Sequence, residues 1–376
     1  MRLSLALAAA LSVTGLAQAA DPTFPSSAGN LKVETVAGGL MHPWSLAFLP
    51  DGRMLVTERP GRMRIVARNG RLSPPLGNVP KVFAVTQAGL LDVILDRNYA
   101  QNQIIYFSYA EPFEGGGRTA LARARLDDGE MPRLAEVKVI YRQYGPPSHG
   151  HHFGSRIVQE KDGNLFVTNG EHFTDRDKAQ TLDTDLGKIV HITPDGAPVA
   201  GNPFTNKPNA RPEIWSYGHR NPQGLAFNPA DGKLWEQEHG PMGGDEINLI
   251  VPGHNYGWPL VSYGVNYSGT PVGTGKAKMD GVDDPVWHWT PSIAPSGMAF
   301  YTGDLFPVWK GSLFNGALKF RMLVRLELNG DKVVKEERLL QDLQERIRDV
   351  RQGPDGALYL LTDNSSGRIL RVVPAK

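Results

Sequence analysis

From residue 31 onward the apolar positions fall in short runs cut by turns, and no helical period persists. One unit recurs: an apolar run, an Asp-Gly turn or a relative of it, and a second run. Residues 45–49 and 54–57 flank Asp51 and Gly52, with a further run at 63–66. Residues 91–95 and 104–109 are joined by a longer connection and followed by 121–126. The third copy is 156–159 and 164–168 around Asp162 and Gly163; the fourth is 224–228 and 234–237 around Asp231 and Gly232. The fifth, 296–300 and 312–316, turns near Gly303 and continues at 323–328; the sixth, 349–352 and 358–362, turns at Asp355 and Gly356 and finishes at 368–373. Such runs around Asp-Gly read as β-hairpins. Their turns are spaced roughly 50 to 75 residues apart, room for a four-stranded blade with insertions. The pattern predicts an all-β, six-bladed β-propeller of four-stranded antiparallel blades. Residues 31–36 are expected to join the last blade and close the ring. A β-sandwich would explain the short strands but not the repeated unit.

The first residues stand apart. A basic start, an apolar run at 3–16 and the small residues Ala17 and Ala19 form an export signal, with cleavage expected after Ala19 or Ala20. No later run reaches a transmembrane length. A soluble periplasmic protein is therefore expected, with residues 20–376 as a single domain, since Gly and Pro are scattered rather than gathered into a linker. Lys and Arg number 40 against 39 acids, which favours neither nucleic acid nor an anionic membrane surface as partner. With no cysteine, packing and any bound ion must hold the fold.

The third repeat carries the densest chemistry. Its stretch SHGHHFGSRIVQEKDGNLFVTNGE, residues 148–171, puts His149, His151 and His152 before its first run and Glu171 after its second. A hairpin folded on itself brings its ends together, so an imidazole and a carboxylate meet at one rim. The carboxylate then fixes the ring's tautomer and raises its basicity, as a general base requires. Polar residues recur at the equivalent place elsewhere: Gln87, Arg220 with Asn221, residues 290–292, and Arg346 with Arg348. Innermost propeller strands begin near one end of the channel, so these positions converge there. His152 as base, Glu171 as its orienter, the amides of Gln87 and Asn221, and the cations Arg220, Arg346, Arg348 and Lys319 together call for a polyanionic ligand. The Gly/Pro-rich stretch 238–247, with Asp245 and Glu246, offers carbonyls and carboxylates to a hard cation such as calcium. Zinc on the three histidines fits less well, because they are crowded and no cysteine helps. No Gly-rich loop leads from a strand into a helix, which excludes a dinucleotide fingerprint. Arg156 reads as support for its hairpin; His42, His191, His254 and His288 read as packing or loop residues.

The segments LMHPWSLAFLPDG (40–52), TQAGLLDV (86–93), HHFGSRI (151–157), YGHRNPQGLAF (217–227), EHGPMGGDEINLI (238–250), NYGWP (255–259), IAPSGMAFY (293–301) and RIRDV (346–350) follow in this order. With them the chain resembles the soluble quinoprotein glucose dehydrogenases, and more closely the shorter bacterial aldose sugar dehydrogenases that use pyrroloquinoline quinone (PQQ). The resemblance implies His152 as general base, Glu171 as its acidic partner and Arg220 as stabiliser of charge on the cofactor. It places Gln87 near PQQ and sugar, and Arg220, Asn221, Tyr267, Lys319, Arg346 and Arg348 around PQQ. Gly240 and Pro241 would give carbonyls to a Ca2+ ion beside PQQ. Glu246 and Tyr256, the latter through its carbonyl, would hold a second, structural calcium. The implied reaction converts the C1 hydroxyl of a cyclic aldose sugar to a lactone and passes electrons to an unidentified acceptor. His239 stands where the glucose enzymes carry glutamine, His151 where they carry an acid, and the connection after Glu171 is shorter. These departures imply a more open pocket, a broad aldose range and a monomer. A calcium-dependent lactone hydrolase would leave the cation cluster without a task, and a non-catalytic carbohydrate-binding propeller would leave the His152–Glu171 pair without one.

Overall fold

The structure is a computed structural model that describes residues 22–375, so the expected export segment, 1–19, lies outside the described residues. Six antiparallel sheets form a six-bladed propeller. Their innermost strands are Pro43–Phe48, Leu90–Leu95, Ile157–Gln159, Pro222–Phe227, Pro295–Phe300 and Ile347–Gln352, and each touches the next in cyclic order, the last returning to the first. The ring closes as the pattern predicts: Leu31–Leu40 pairs with Gly367–Pro374, the third strand of the sixth blade. Thr23–Phe24 adds a fifth strand there. The first blade has three strands, with a single bridge from Val66 to Leu72 in place of a fourth.

Strand alternation gives every blade two apolar faces, one for each neighbour. One hydrophobic cluster accordingly fills each junction. Leu55, Leu90 and Phe107 join the first two blades, and Tyr106 with Val167 the next two. Phe166 with Leu225, Trp235 with Met298, and Phe314 with Leu360 continue the series. Val56 with Ile369 completes it. At about 1.5–3 kcal/mol per buried large apolar side chain, these junctions dominate the favourable side of folding.

Two features carry the fold to the site. In five innermost strands the pairing slips near the start: between Pro43 and Ser45, Leu90 and Val93, Pro222 and Gly224, Pro295 and Met298, and Ile347 and Asp349. A bulge re-aims the extra residue out of the ladder. Trp44, Leu91, Gln223 and Arg348, released in this way, all line one cavity at the channel mouth. Below it, Arg156 does not support its own hairpin as the sequence suggested. Its guanidinium bridges Asp92 of the second blade at 3.1 Å and Asp349 of the sixth at 3.2 Å. Arg351 meets the same two carboxylates at 3.0 and 2.8 Å. The stretch around Asp245 and Glu246, read as turns, is a strand from Asp245 to Ile250.

Asp92 is fully buried and accepts from donors on three blades besides its own. Asp92→Ala should therefore cost about 3–5 kcal/mol, the usual result of stranding a buried partner charge. Urea unfolding measures it, and a loss within experimental error of zero would show that the channel charges do not hold the blades together.

Candidate active site

His152 lies in the loop before its strand rather than on it, with a left-handed backbone at φ +52°. Its N–H donates to Gln87 Oε1 at 2.9 Å, which fixes this costly conformation from the neighbouring blade. The side chain is buried, and Nδ1 lies 2.7 Å from Glu171 Oε2. An ionised carboxylate can only accept, so Nδ1 carries the proton and Nε2 keeps its lone pair. Burial pushes the His152 imidazole below its ordinary 6.5; Glu171 pulls it back up, and the charge of Arg220 pushes it down. Burial works to raise Glu171, but His152, Arg220 and the Phe173 N–H together hold its carboxyl below the usual range. The pair therefore rests as a neutral imidazole beside a carboxylate near neutral pH. His151, by contrast, is exposed, its ring nearly perpendicular to that of His152.

The Glu171 N–H donates to the Arg220 carbonyl at 3.1 Å, so the rim of the third blade meets that of the fourth. The backbone N–H of Arg220 donates to Glu238, and its Nη1 donates to the carbonyls of His239 and Gly240 at 3.0 and 2.8 Å. Its guanidinium stands 5.1 Å from the Trp258 ring and 6.0 Å from that of Tyr267. Asn221 Oδ1 accepts from Gly154 N at 3.1 Å. Arg220 Nε and Asn221 Nδ2, both buried, find no partner among the described residues. Opposite them, Arg346 and Arg348 share one counter-ion, Asp363, at 3.0 and 3.5 Å. His42, in the loop between the strands ending at Leu40 and starting at Pro43, also brings Nδ1 to 2.8 Å from that aspartate. Burial pushes Arg348 below its ordinary value, against the pull of Asp363.

Two cavities adjoin this centre. One, of about 240 Å3, is lined by Gln87, Asn221, His239, Arg346 and Arg348 among others. The second, of about 440 Å3, is bounded by Glu171, Arg220, Pro241, Trp258 and Tyr267. Tyr267 thus lines the second cavity and not the cationic one. Lys319 is exposed at the lip, its Nζ 5.7 Å from the Phe320 ring, while its neighbour Leu318 lines the cationic cavity. His239 is half-buried, with Nε2 donating to the Pro295 carbonyl at 2.5 Å; desolvation pushes it down to about 3, so it is neutral. The orphaned donors and surplus guanidiniums fit a planar, oxygen-rich anion such as PQQ.

The cation positions also fit their donors. Asp245 binds backbone: it accepts from Gly240 N at 2.9 Å and from Ile293 and Ala294 N–H groups at 2.7 and 3.0 Å. This holds the Gly240–Pro241 turn still. Strand register sets Glu236 opposite Asn248 and Glu238 opposite Glu246, placing all four on one face. Burial, then the charge of Glu238, drives the Glu236 and Glu246 carboxyls well above the usual range. Glu236 Oε1 and Asn248 Oδ1 have no partner among the described residues. The Tyr256 ring stacks on His219, whose Nδ1 is 3.3 Å from Glu238. Carboxyls that resist ionising for want of a counter-charge, beside unpartnered oxygens, suit a hard cation that would restore their charge.

Glu238, Asp363, Trp44 and Gln223 were not among the residues singled out in the sequence. Glu238 closes a strand and Asp363 follows one, while bulges alone turn Trp44 and Gln223 toward the mouth.

A buried imidazole tied at Nδ1 to a carboxylate, with its partners Gln87 and Glu171 lining the two cavities, suits an enzyme that takes a proton from a substrate held beside an anionic group. Residues 40–371 match the profile described as Glucose / Sorbosone dehydrogenase, and the chain belongs to that family. It is 47% identical over 347 residues to the aldose sugar dehydrogenase YliI of Escherichia coli (strain K12), covering 92% of this chain and 93% of that protein. The crystal structure of the soluble Escherichia coli aldose sugar dehydrogenase in its apo-form superposes with a TM-score of 0.89 over 92% of this chain and all of that one, at 47% identity. The PQQ-bound form of an aldose sugar dehydrogenase from Streptomyces coelicolor, 31% identical, gives 0.74, with 91% and 98% covered.

Because Glu171 raises the basicity of His152, Glu171→Gln should lower it further. The acid limb of kcat/KM, expected below pH 6.5 in the native protein, should move to lower pH as the plateau falls. A limb that moved up, or stayed in place, would mean that His152 is not the titrating base.

Proposed function

We propose that this protein oxidises the C1 hydroxyl of cyclic aldose sugars to the lactone, with PQQ as cofactor and calcium as the accompanying ion. The observation that carries this reading is a buried neutral His152, anchored through Nδ1 and without a partner at Nε2 among the described residues, held by Gln87, which lines the cationic cavity, and Glu171, which lines the second, more open one. Arg220, Asn221, Arg346 and Arg348 would hold PQQ, with Lys319 and Tyr267 at its margins and Gln87 near both PQQ and sugar. Carbonyls of Gly240 and Pro241 would hold the calcium beside it; Glu246 and the Tyr256 carbonyl would hold the structural one. When bound, PQQ supplies the two-electron acceptor for the C1 hydride, and calcium supplies a Lewis acid.

The chain's own work is the proton. His152 Nε2 takes it from the C1 hydroxyl as the carbonyl forms, and Glu171 stabilises the resulting imidazolium through Nδ1. Gln87 holds the base by its backbone, so the ring needs no reorientation during the step. Arg220, clamped by Glu238, His239 and Gly240 through its backbone N–H and Nη1, would place its guanidinium charge, with Nε unpartnered among the described residues, near developing negative charge. Export to the periplasm by the segment 1–19, a broad aldose range, a monomeric state and an external electron acceptor complete the proposal.

The test is aldose-dependent dye reduction by the purified protein reconstituted with PQQ and calcium. His152→Ala should lower turnover about 10²–10⁴-fold while its PQQ titration stays close to native. Arg348→Ala should weaken PQQ binding by about 1.5–3 kcal/mol, the range for a charge-assisted hydrogen bond. Full turnover in His152→Ala would remove the general base, and an unaltered titration in Arg348→Ala would mean the cofactor lies elsewhere.

A further inference from the structure

Resting on that reading, we propose that Arg59 of the first blade is a positioning residue for the base, acting on His152 through Thr86 and Gln87 of the second. The contacts run across three blades. Arg59 directly follows the strand Met54–Glu58, and its backbone is tied on both sides. Its N–H donates to the His42 carbonyl at 3.0 Å, and its carbonyl accepts from Leu90 N at 2.9 Å. Gly89 permits that approach, because a Cβ there would collide with the Arg59 oxygen. From this fixed base the side chain reaches the second blade, where Nη1 donates to the Thr86 carbonyl.

Thr86 needs such a hold. It is β-branched and exposed, yet its backbone is left-handed at φ +52°, a conformation that persists only where neighbours impose it. Ala88 N closes the turn onto the Val85 carbonyl at 2.9 Å, and Gln87 N donates to Gly150 O at 2.9 Å. Gly150 lies so near that a Cβ on it would collide with the Thr86 hydroxyl. The turn 85–88 is thus seated on the loop that leads into His152, and Gln87 Oε1 accepts the His152 N–H at 2.9 Å. Release of Thr86 would let Gln87 withdraw that acceptor, and the base would lose the bond that fixes its own left-handed backbone. Arg59 has no carboxylate partner among the described residues, so no acid competes with Thr86 for its donors. The rival role is electrostatic, one more cation for the anionic cofactor. After burial and Arg346, the charge of Arg59 helps to push Arg348 below its ordinary value.

The experiment makes two measurements on Arg59→Met and Arg59→Lys. One is hydrogen exchange of the His152 backbone N–H in the cofactor-free protein; the other is glucose oxidation with saturating PQQ and calcium. Arg59→Met should speed that exchange and lower kcat, each about tenfold, as loss of one charged hydrogen bond implies, while KM and the PQQ titration stay close to native. Arg59→Lys keeps a charged donor and should restore most of both. In a Gln87→Ala background, Arg59→Met should have no further effect on either, because its path runs through that amide. Native exchange in Arg59→Met would overturn the positioning role, as would faster exchange with unaltered kcat or additive losses in the double variant. A weakened PQQ titration with native exchange would assign the electrostatic role instead. If the native protein oxidised no sugar, the dehydrogenase reading would fall and this inference with it; native exchange in Arg59→Met, beside a native protein that does oxidise sugar, strikes the positioning role alone.

Discussion

Asp92 is the carboxylate on which the centre of the ring depends. Fully buried, it accepts from Ser45 Oγ at 2.6 Å, Ile157 N at 2.8 Å, Arg351 at 3.0 Å and Arg156 at 3.1 Å, four donors from the first, third and sixth blades. A lone carboxylate at that depth would be strongly unfavourable, and the donors offset its desolvation only if the innermost strands keep their relative positions. The hydrophobic junctions make a ring; this network fixes how the strand starts face one another. Trp44 links the two levels. Its ring lies 4.4 Å from the Arg156 guanidinium below and 5.8 Å from that of Arg348 above.

The level above reverses the charge balance. Below, two arginines meet two aspartates. At the mouth, Arg346 and Arg348 share Asp363, which His42 also approaches, and buried donors on Arg220 and Asn221 have no partners among the described residues. A site prepared in this way gives up stability to hold its donors where an anion will need them. The carboxyl face of the fourth blade is its opposite, with buried Glu236 and Glu238 gathered beside half-buried Glu246. On the proposed reading, the cationic mouth would receive an anionic cofactor and this carboxyl face a metal ion.

The two inner strands of each blade were legible as paired apolar runs, divided by Asp-Gly in four blades and by other connections in the second and fifth. The fourth strands were not, apart from 31–36 in the sixth blade. Arg133–Arg142 and Lys332–Leu339 lie at blade edges, where half the side chains meet solvent and the ladder supplies the order. Trp287–Trp289 is too short to leave a pattern. His152 and Glu171 stood out because a hairpin must bring its ends together, and the other mouth residues because they recur at one point of the repeat. Arg156 was misread for a physical reason: its partners Asp92 and Asp349 lie on other blades, which no local pattern reveals. Asp363 was hidden similarly, and the bulges that turn Trp44 and Gln223 inward depend on pairing, not on composition. Tyr267, grouped with the cofactor's cations, stands beside one of them, its ring 6.0 Å from the Arg220 guanidinium in the second cavity.

The central claim is that one buried carboxylate sets the proton on His152, leaving Nε2 free and the ring neutral. Nitrogen NMR of the histidine rings in isotope-labelled protein, with His152→Gln to assign the resonance, reads this directly. The account predicts a neutral Nδ1–H tautomer at neutral pH, with protonation only below the ordinary histidine range. An imidazolium at neutral pH, or a proton on Nε2, would contradict it.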